Sequence, residues 1–118
     1  PRSILLPNFT GVCMHCSFDA ANYSDALFKH YDINFPPQLT STVSHRKAEY
    51  LAGRIAANHA MAALGMPPAN ISIGRHRSPV WPSGVAGVIT HHRGQVYCML
   101  AKISNYSPPV LSIQRNWP

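Results

Sequence analysis

Apolar and polar residues alternate along residues 12–18. Val12, Met14, Cys16 and Phe18 fall on one side, and Cys13, His15 and Ser17 on the other. That period of two predicts a strand with one apolar face. A second alternation, over residues 95–102, sets Val96, Cys98 and Leu100 against Tyr97, Met99 and Ala101. Residues 85–91 precede it, with His92-Arg93-Gly94 between, so the pair predicts a β-hairpin. In the middle of the chain the period changes. Ala48, Leu51, Ala52, Ile55, Ala56, His59, Ala62 and Ala63 recur at helical spacing, with no proline between residues 44 and 64. Gly65 and Pro67 supply the stop signal, which predicts a helix of about 20 residues, about 30 Å long.

The remaining pattern is weaker. Residues 1–10 read as a lead-in with a turn at Pro7 and Asn8. Ser24 is placed to cap a short helix running to about Tyr31, with Ala26, Leu27 and His30 along one side. Pro36-Pro37 makes residues 32–41 a connector. Ile71-Ser72-Ile73 predicts a short strand, and residues 74–83 a loop rich in Arg, Pro and Trp, with Trp81 packed beneath it. Beyond residue 103 only residues 110–113 have strand character.

Composition narrows the function classes. The chain of 118 residues carries a net charge of +6 and four acids, Asp19, Asp25, Asp32 and Glu49. The excess favours an anionic partner, while so few acids are thin material for a carboxylate metal site. No apolar run approaches the roughly 20 residues that cross a bilayer. The start lacks the pattern of a signal peptide, so a cytoplasmic location is expected. A first residue Pro1 in place of Met suggests an incomplete translation product. Three cysteines, Cys13, Cys16 and Cys98, predict reduced thiols. Cys13 and Cys16 have C-x-x-C spacing, but three residues along a strand reverse the face and no partner motif completes a zinc shell.

Three cationic groups lie along residues 46–91. Lys47 and Arg54 are seven apart on the predicted helix, with Arg46 and Tyr50 one turn apart beside them. Ala52, Gly53, Ala56 and Ala57 allow another backbone close to that helix. The Arg75-His76-Arg77 cluster suits bidentate phosphate binding, in a loop stiffened by Pro79 and Pro82. Thr90 and His91 end a strand at a hairpin, where a hydroxyl and an imidazole can donate to a phosphate. The phosphate-loop, dinucleotide, nucleophile-elbow and H-E-x-x-H motifs are missing, as are paired carboxylates for glycoside chemistry.

Arg46-Lys47-Ala48-Glu49-Tyr50-Leu51-Ala52-Gly53-Arg54-Ile55-Ala56-Ala57, then Pro79-Val80-Trp81-Pro82, then Gly87-Val88-Ile89-Thr90-His91 closely resemble the 4′-phosphopantetheinyl transferases, of the enterobactin synthetase component D type. The likeness runs over roughly residues 12–103 and rests on three motifs in order. It implies transfer of the phosphopantetheine arm of coenzyme A, with Mg²⁺, to a serine of an acyl or peptidyl carrier protein in siderophore biosynthesis. The implied fold is two pseudo-symmetric α+β halves with coenzyme A between them. This chain resembles the N-terminal half: an antiparallel sheet packed on one long helix over residues 1–103, then a divergent or truncated tail, 104–118. Carried over, Arg46 and Arg54 face the nucleotide phosphates. Gly74, Arg75, Arg77, Ser78 and Pro79 match the loop along the adenine, and Thr90 and His91 the pair on the 3′-phosphate.

The departures concern the chemistry. The family's Gly-Ile-Asp-x-Glu strand has as its only counterpart Ser112-Ile113-Gln114-Arg115-Asn116, with amides where the metal carboxylates belong. The later motif carrying a further acid and the catalytic Lys is missing, so no catalytic or metal-binding residue is assigned. Two other readings stay open: a non-catalytic half-domain that binds coenzyme A or a carrier protein, and a small basic nucleic-acid binder. The latter lacks interleaved exposed aromatics and a recognition motif, so neither nucleic acid nor membrane is expected as a partner.

Overall fold

The computed structural model describes residues 2–4 and 10–103. Four strands, β1 (Arg2–Ile4), β2 (Val12–Ser17), β3 (Val85–His92) and β4 (Gln95–Lys102), form one antiparallel sheet in the order β1-β2-β4-β3. Two helices, α1 (Ala26–His30) and α2 (Ser44–Ala63), complete the fold, and α2 packs on one face of the sheet. The α+β class and the helix-on-sheet arrangement are therefore as expected.

The alternations place the sheet's faces. Met14 lies opposite Cys98 and Cys16 opposite Val96, while Ile89 pairs with Cys98 and His91 with Val96. Those residues share the face toward α2, where Val96, Cys98 and Leu100 are fully buried against Ala52, Ala56, Ala57 and Ala60. Burying small residues on the helix brings the backbones close. A Cβ added at Gly53 would lie 3.3 Å from Ile89 Cγ2 and 3.9 Å from Val96 Cγ1. The hairpin turns on Arg93 and Gly94, with φ of 50° and 78°, the two left-handed residues of a type I′ turn. The Gly94 carbonyl also accepts from Phe18 N–H at 2.8 Å, which ties the end of β2 to the turn.

Helix α2 spans the expected 20 residues. Its stop is a Schellman motif: Met66 N–H reaches the Met61 carbonyl, Gly65 N–H reaches that of Ala62, and Gly65 takes φ 75°. The buried stripe differs from the periodic one. His59, Ala62 and Ala63 are exposed, whereas Tyr50, Arg54, Ala57, Ala60 and Met61 are buried. A helix pressed between a sheet and a second cluster, formed by Phe28, Leu39, Tyr50 and Leu51, buries a broader arc than one apolar stripe.

Three other expectations are corrected. Residues 2–4 are not lead-in but strand, paired with residues 13–15. Helix α1 starts at Ala26, and Ser24 contributes its carbonyl, to Leu27 N–H, rather than a side-chain cap. Asp25 stands at the cap position, but its carboxylate is taken by Tyr23 O–H at 2.7 Å and by Lys47 at 3.6 Å. Residues 71–73 form no strand beyond a single bridge from Ile73 to Pro79; the Ser72 carbonyl accepts from Val80 N–H at 2.9 Å, but that of Ile71 accepts from a side chain of α2. The turn expected at Pro7 and Asn8 and the strand at 110–113 lie outside the described residues. Cys13, Cys16 and Cys98 are free thiols, and burial pushes the pKa of each upward. Trp81 packs on the core and donates Nε1–H to the Gly87 carbonyl at 3.0 Å. Among the described residues no helix is long and apolar enough to cross a membrane.

Candidate functional site

Because α2 approaches the edge strand β3 through Gly53, the space left between them opens as a cleft of about 340 Å³. Arg46, Glu49, Tyr50, Gly53 and Arg54 line it from α2, Ile89 and His91 from β3, and Arg77 and Pro79 from the loop. A second hollow of about 330 Å³ shares Arg46 and Arg77 with the cleft and continues past Gly74, Ile73, Gln38, Leu39 and Thr42. Five of the nine residues expected from the sequence thus converge: Arg46, Arg54, Arg77, Pro79 and His91. Gly74 stands in the adjoining hollow.

The other three do not line either space. Arg75 and Ser78 are exposed on the loop. Ser78 instead closes that loop, its carbonyl accepting from Gly74 N–H at 2.7 Å and its N–H donating to the Arg75 carbonyl at 2.9 Å. Arg77 completes the turn at φ 62°, a left-handed conformation uncommon for a residue with a Cβ. Thr90 follows Ile89 on the strand and sits opposite Tyr97, on the sheet face turned away from α2. Successive residues of a strand point to opposite faces, so Thr90 and His91 do not present their side chains together. Lys47, in line with Arg54 by spacing, turns to α1 and the connector, paired with Asp25 and 5.5 Å above the Phe35 ring.

Arg54 is the most unusual member. It is 7% exposed, yet among the described residues it has no carboxylate partner. Nε donates to the Ile71 carbonyl at 2.9 Å and Nη2 to the Ser72 carbonyl at 3.3 Å, while the guanidinium lies 4.2 Å from the Tyr50 ring centre. Burial lowers its pKa, and Tyr50 partly opposes the shift. Arginine remains cationic in proteins, so the result is a charge held under the cleft wall by carbonyls and a ring. Buried charges are ordinarily paired. Arg46 differs, because its Nη1 meets Glu49 Oε1 at 2.9 Å. His91, 51% exposed, brings Nδ1 within 3.0 Å of the other Glu49 oxygen.

Sequence reasoning missed Glu49, Tyr50, Gly53 and Ile89 as wall residues. The spacing of Arg46 and Glu49, three apart on a helix, was a visible signal for the first of these. Among the described residues no three His, Cys, Asp or Glu side chains could share a metal ion. A hard cation such as Mg²⁺ needs several oxygens, and the cleft offers one carboxylate already engaged by Arg46 and His91. The described residues therefore do not fit Mg²⁺.

An antiparallel sheet under one long helix, with a cation-lined cleft at the edge strand, defines the class of this α+β module. The sequence model of the 4′-phosphopantetheinyl transferase N-terminal domain matches residues 35–101, and the chain belongs to that family. It is 42% identical over 87 residues to enterobactin synthase component D of Salmonella typhi, covering 70% of this chain and 35% of that protein. For the Escherichia coli (strain K12) enterobactin synthase component D the identity is 43% over 89 residues, with 70% and 39% covered. The 4′-phosphopantetheinyl transferase Svp of Streptomyces mobaraensis is 28% identical over 99 residues, with 81% and 40% covered. The chain spans about a third of the length of the curated relatives it matches.

Proposed function

We propose that the cleft between α2 and β3 binds the nucleotide end of coenzyme A, and that the chain serves transfer of 4′-phosphopantetheine to a carrier-protein serine. The observation that carries this reading is Arg54, a buried guanidinium with no carboxylate partner among the described residues, set with Arg46, Arg77 and His91 around one cleft. With Glu49 as its one acid among the described residues, the site keeps an excess of positive charge that a polyphosphate offsets. On this reading Arg46 and Arg77, shared by cleft and hollow, hold the phosphates, and Arg54 contributes its field from beneath the wall. The loop at Gly74, Arg75, Ser78 and Pro79 lies along the adenine, and His91 meets the 3′-phosphate. Thr90, on the opposite face of the sheet, makes no side-chain contact with the ligand on this reading. The names of the relatives support phosphopantetheinyl transfer and the enterobactin-type setting.

The described residues supply binding and orientation. Among them the cleft offers one carboxylate, Glu49, already engaged by Arg46 and His91, so on this reading the transfer step uses groups beyond the cleft. Calorimetry with coenzyme A and its 3′-dephospho form tests the assignment. Coenzyme A should bind more tightly, by roughly tenfold for a charge-assisted contact at His91. Equal affinities would overturn the placement of the 3′-phosphate. A carrier-protein modification assay with Mg²⁺ then separates a catalytic chain from one that only binds.

A further inference from the structure

Glu49 is the only acid among the described residues that lines the cation-rich cleft. A carboxylate there works against an incoming phosphate through simple repulsion, unless it serves the cations beside it. Its contacts show how it does so. Oε1 accepts from Arg46 Nη1 at 2.9 Å, Oε2 lies 3.0 Å from His91 Nδ1, and His45 Nε2 stands 3.9 Å from Oε2. Glu49 is 11% exposed and His91 51%, so the acid lies inside and the ring outside. The contact crosses from α2 to β3 and joins the two walls.

An imidazole has two nitrogens on well-separated edges of its ring. Fastening Nδ1 to a carboxylate fixes the ring's rotation and leaves Nε2 as the nitrogen that a ligand meets. The same carboxylate occupies only one Arg46 nitrogen, so the rest of that fork stays available. We propose that Glu49 is a positioning residue: it holds the His91 imidazole with Nε2 toward the ligand and aligns Arg46 beside it, so that a phosphate monoester is distinguished from its dephosphorylated form. The proposal rests on the coenzyme A reading above and assigns the source of that reading's selectivity.

The test uses the full chain with Glu49→Ala, Glu49→Gln and His91→Ala. Long-range proton–nitrogen spectra of the ligand-free protein should show His91 Nδ1 protonated, with its resonances moving in Glu49→Ala. Unmoved resonances would overturn the proposal regardless of any ligand. In calorimetry, the preference for coenzyme A over 3′-dephospho-coenzyme A should fall roughly tenfold in Glu49→Ala. Glu49→Gln should keep most of it, because an amide oxygen still accepts from Nδ1–H. Adding Glu49→Ala to His91→Ala should bring no further loss, as for two residues acting through one contact. An unchanged preference, or tighter coenzyme A binding in Glu49→Ala, would leave the carboxylate a mere repulsive neighbour and sink the idea. A wild-type chain that does not distinguish the ligands fails at the coenzyme A reading itself, and the proposal falls with it.

Discussion

The two sides of α2 are built in opposite ways. Toward the sheet the helix presents Ala52, Gly53, Ala56, Ala57 and Ala60, all buried, against Val96, Cys98 and Leu100. Toward the connector it presents Tyr50 and Leu51, packed with Phe28 and Leu39, and Phe28 stacks on Tyr50 and meets Phe35 edge-on. The sheet side is held by backbone closeness, which leaves little freedom and brings His91 of β3 within 3.0 Å of Glu49. The connector side is wider and is spanned by rings and by a guanidinium bound to two carbonyls. One wall of the cleft is thus placed by packing and the other by a buried charge.

Substituting each wall's key residue breaks the comparison in a different way. Arg54→Ala should have the largest effect, because it removes two buried hydrogen bonds and empties a buried site. A loss of about 3 kcal/mol is expected in denaturant melts, together with loss of coenzyme A affinity. Arg46→Ala, two turns earlier in a partly buried pair, should cost less than Arg54→Ala, about 1 kcal/mol in stability, while still weakening coenzyme A binding. If the two variants melt alike, Arg54 is no structural latch.

On the sheet side, Gly87→Ala should come next. Its Cβ would stand 2.6 Å from the Met99 carbonyl oxygen, 3.3 Å from the Trp81 ring, and overlap Leu100. Backbone must shift to accommodate it, at about 2 kcal/mol in the same melts.

The last effect appears only at alkaline pH. Burial pushes the Cys98 thiol up to about 12 from an ordinary 9.0, and raises Cys13 and Cys16 as well. Below the ordinary value both folded and unfolded chains keep these protons, and no slope results. As pH rises from 9.0 toward about 12, the unfolded chain ionises first and gains stability relative to the fold. Melting temperature should fall across that window, and the fall should be shallower in Cys98→Ala.

The parts legible in the sequence are those that local rules govern. Helix α2 followed from periodicity and from Gly65, and the hairpin from alternation around Arg93-Gly94. Strand β1 was not legible, since three residues, Arg2, Ser3 and Ile4, carry no period and pair only because residues 13–15 are there. Residues 71–73 have strand composition, but Arg54 competes for their carbonyls, an interaction across 17 positions that no local pattern reveals. The site was half legible. The charges were visible, yet whether a cation is free, paired like Arg46 or sunk like Arg54 depends on neighbours brought in by tertiary packing. The separation of Thr90 from His91 was available from the strand reading itself, because adjacent strand residues cannot share a face.

The strand order also governs the sequence of events as the chain is made. Strand β4 sits inside the sheet, paired with its neighbour β3 on one edge and with β2 on the other. Helix α2 and the hairpin close locally, but residues 12–17 pair with residues 95–100, a loop spanning most of the described chain. A ribosome delivers β1 and β2 well before β4, so the second edge of β2 stays without its partner until residue 100 has emerged. Vectorial synthesis therefore makes β2 docking the last step and the one most open to competing association. It is also the step at which a holding chaperone would have most to protect.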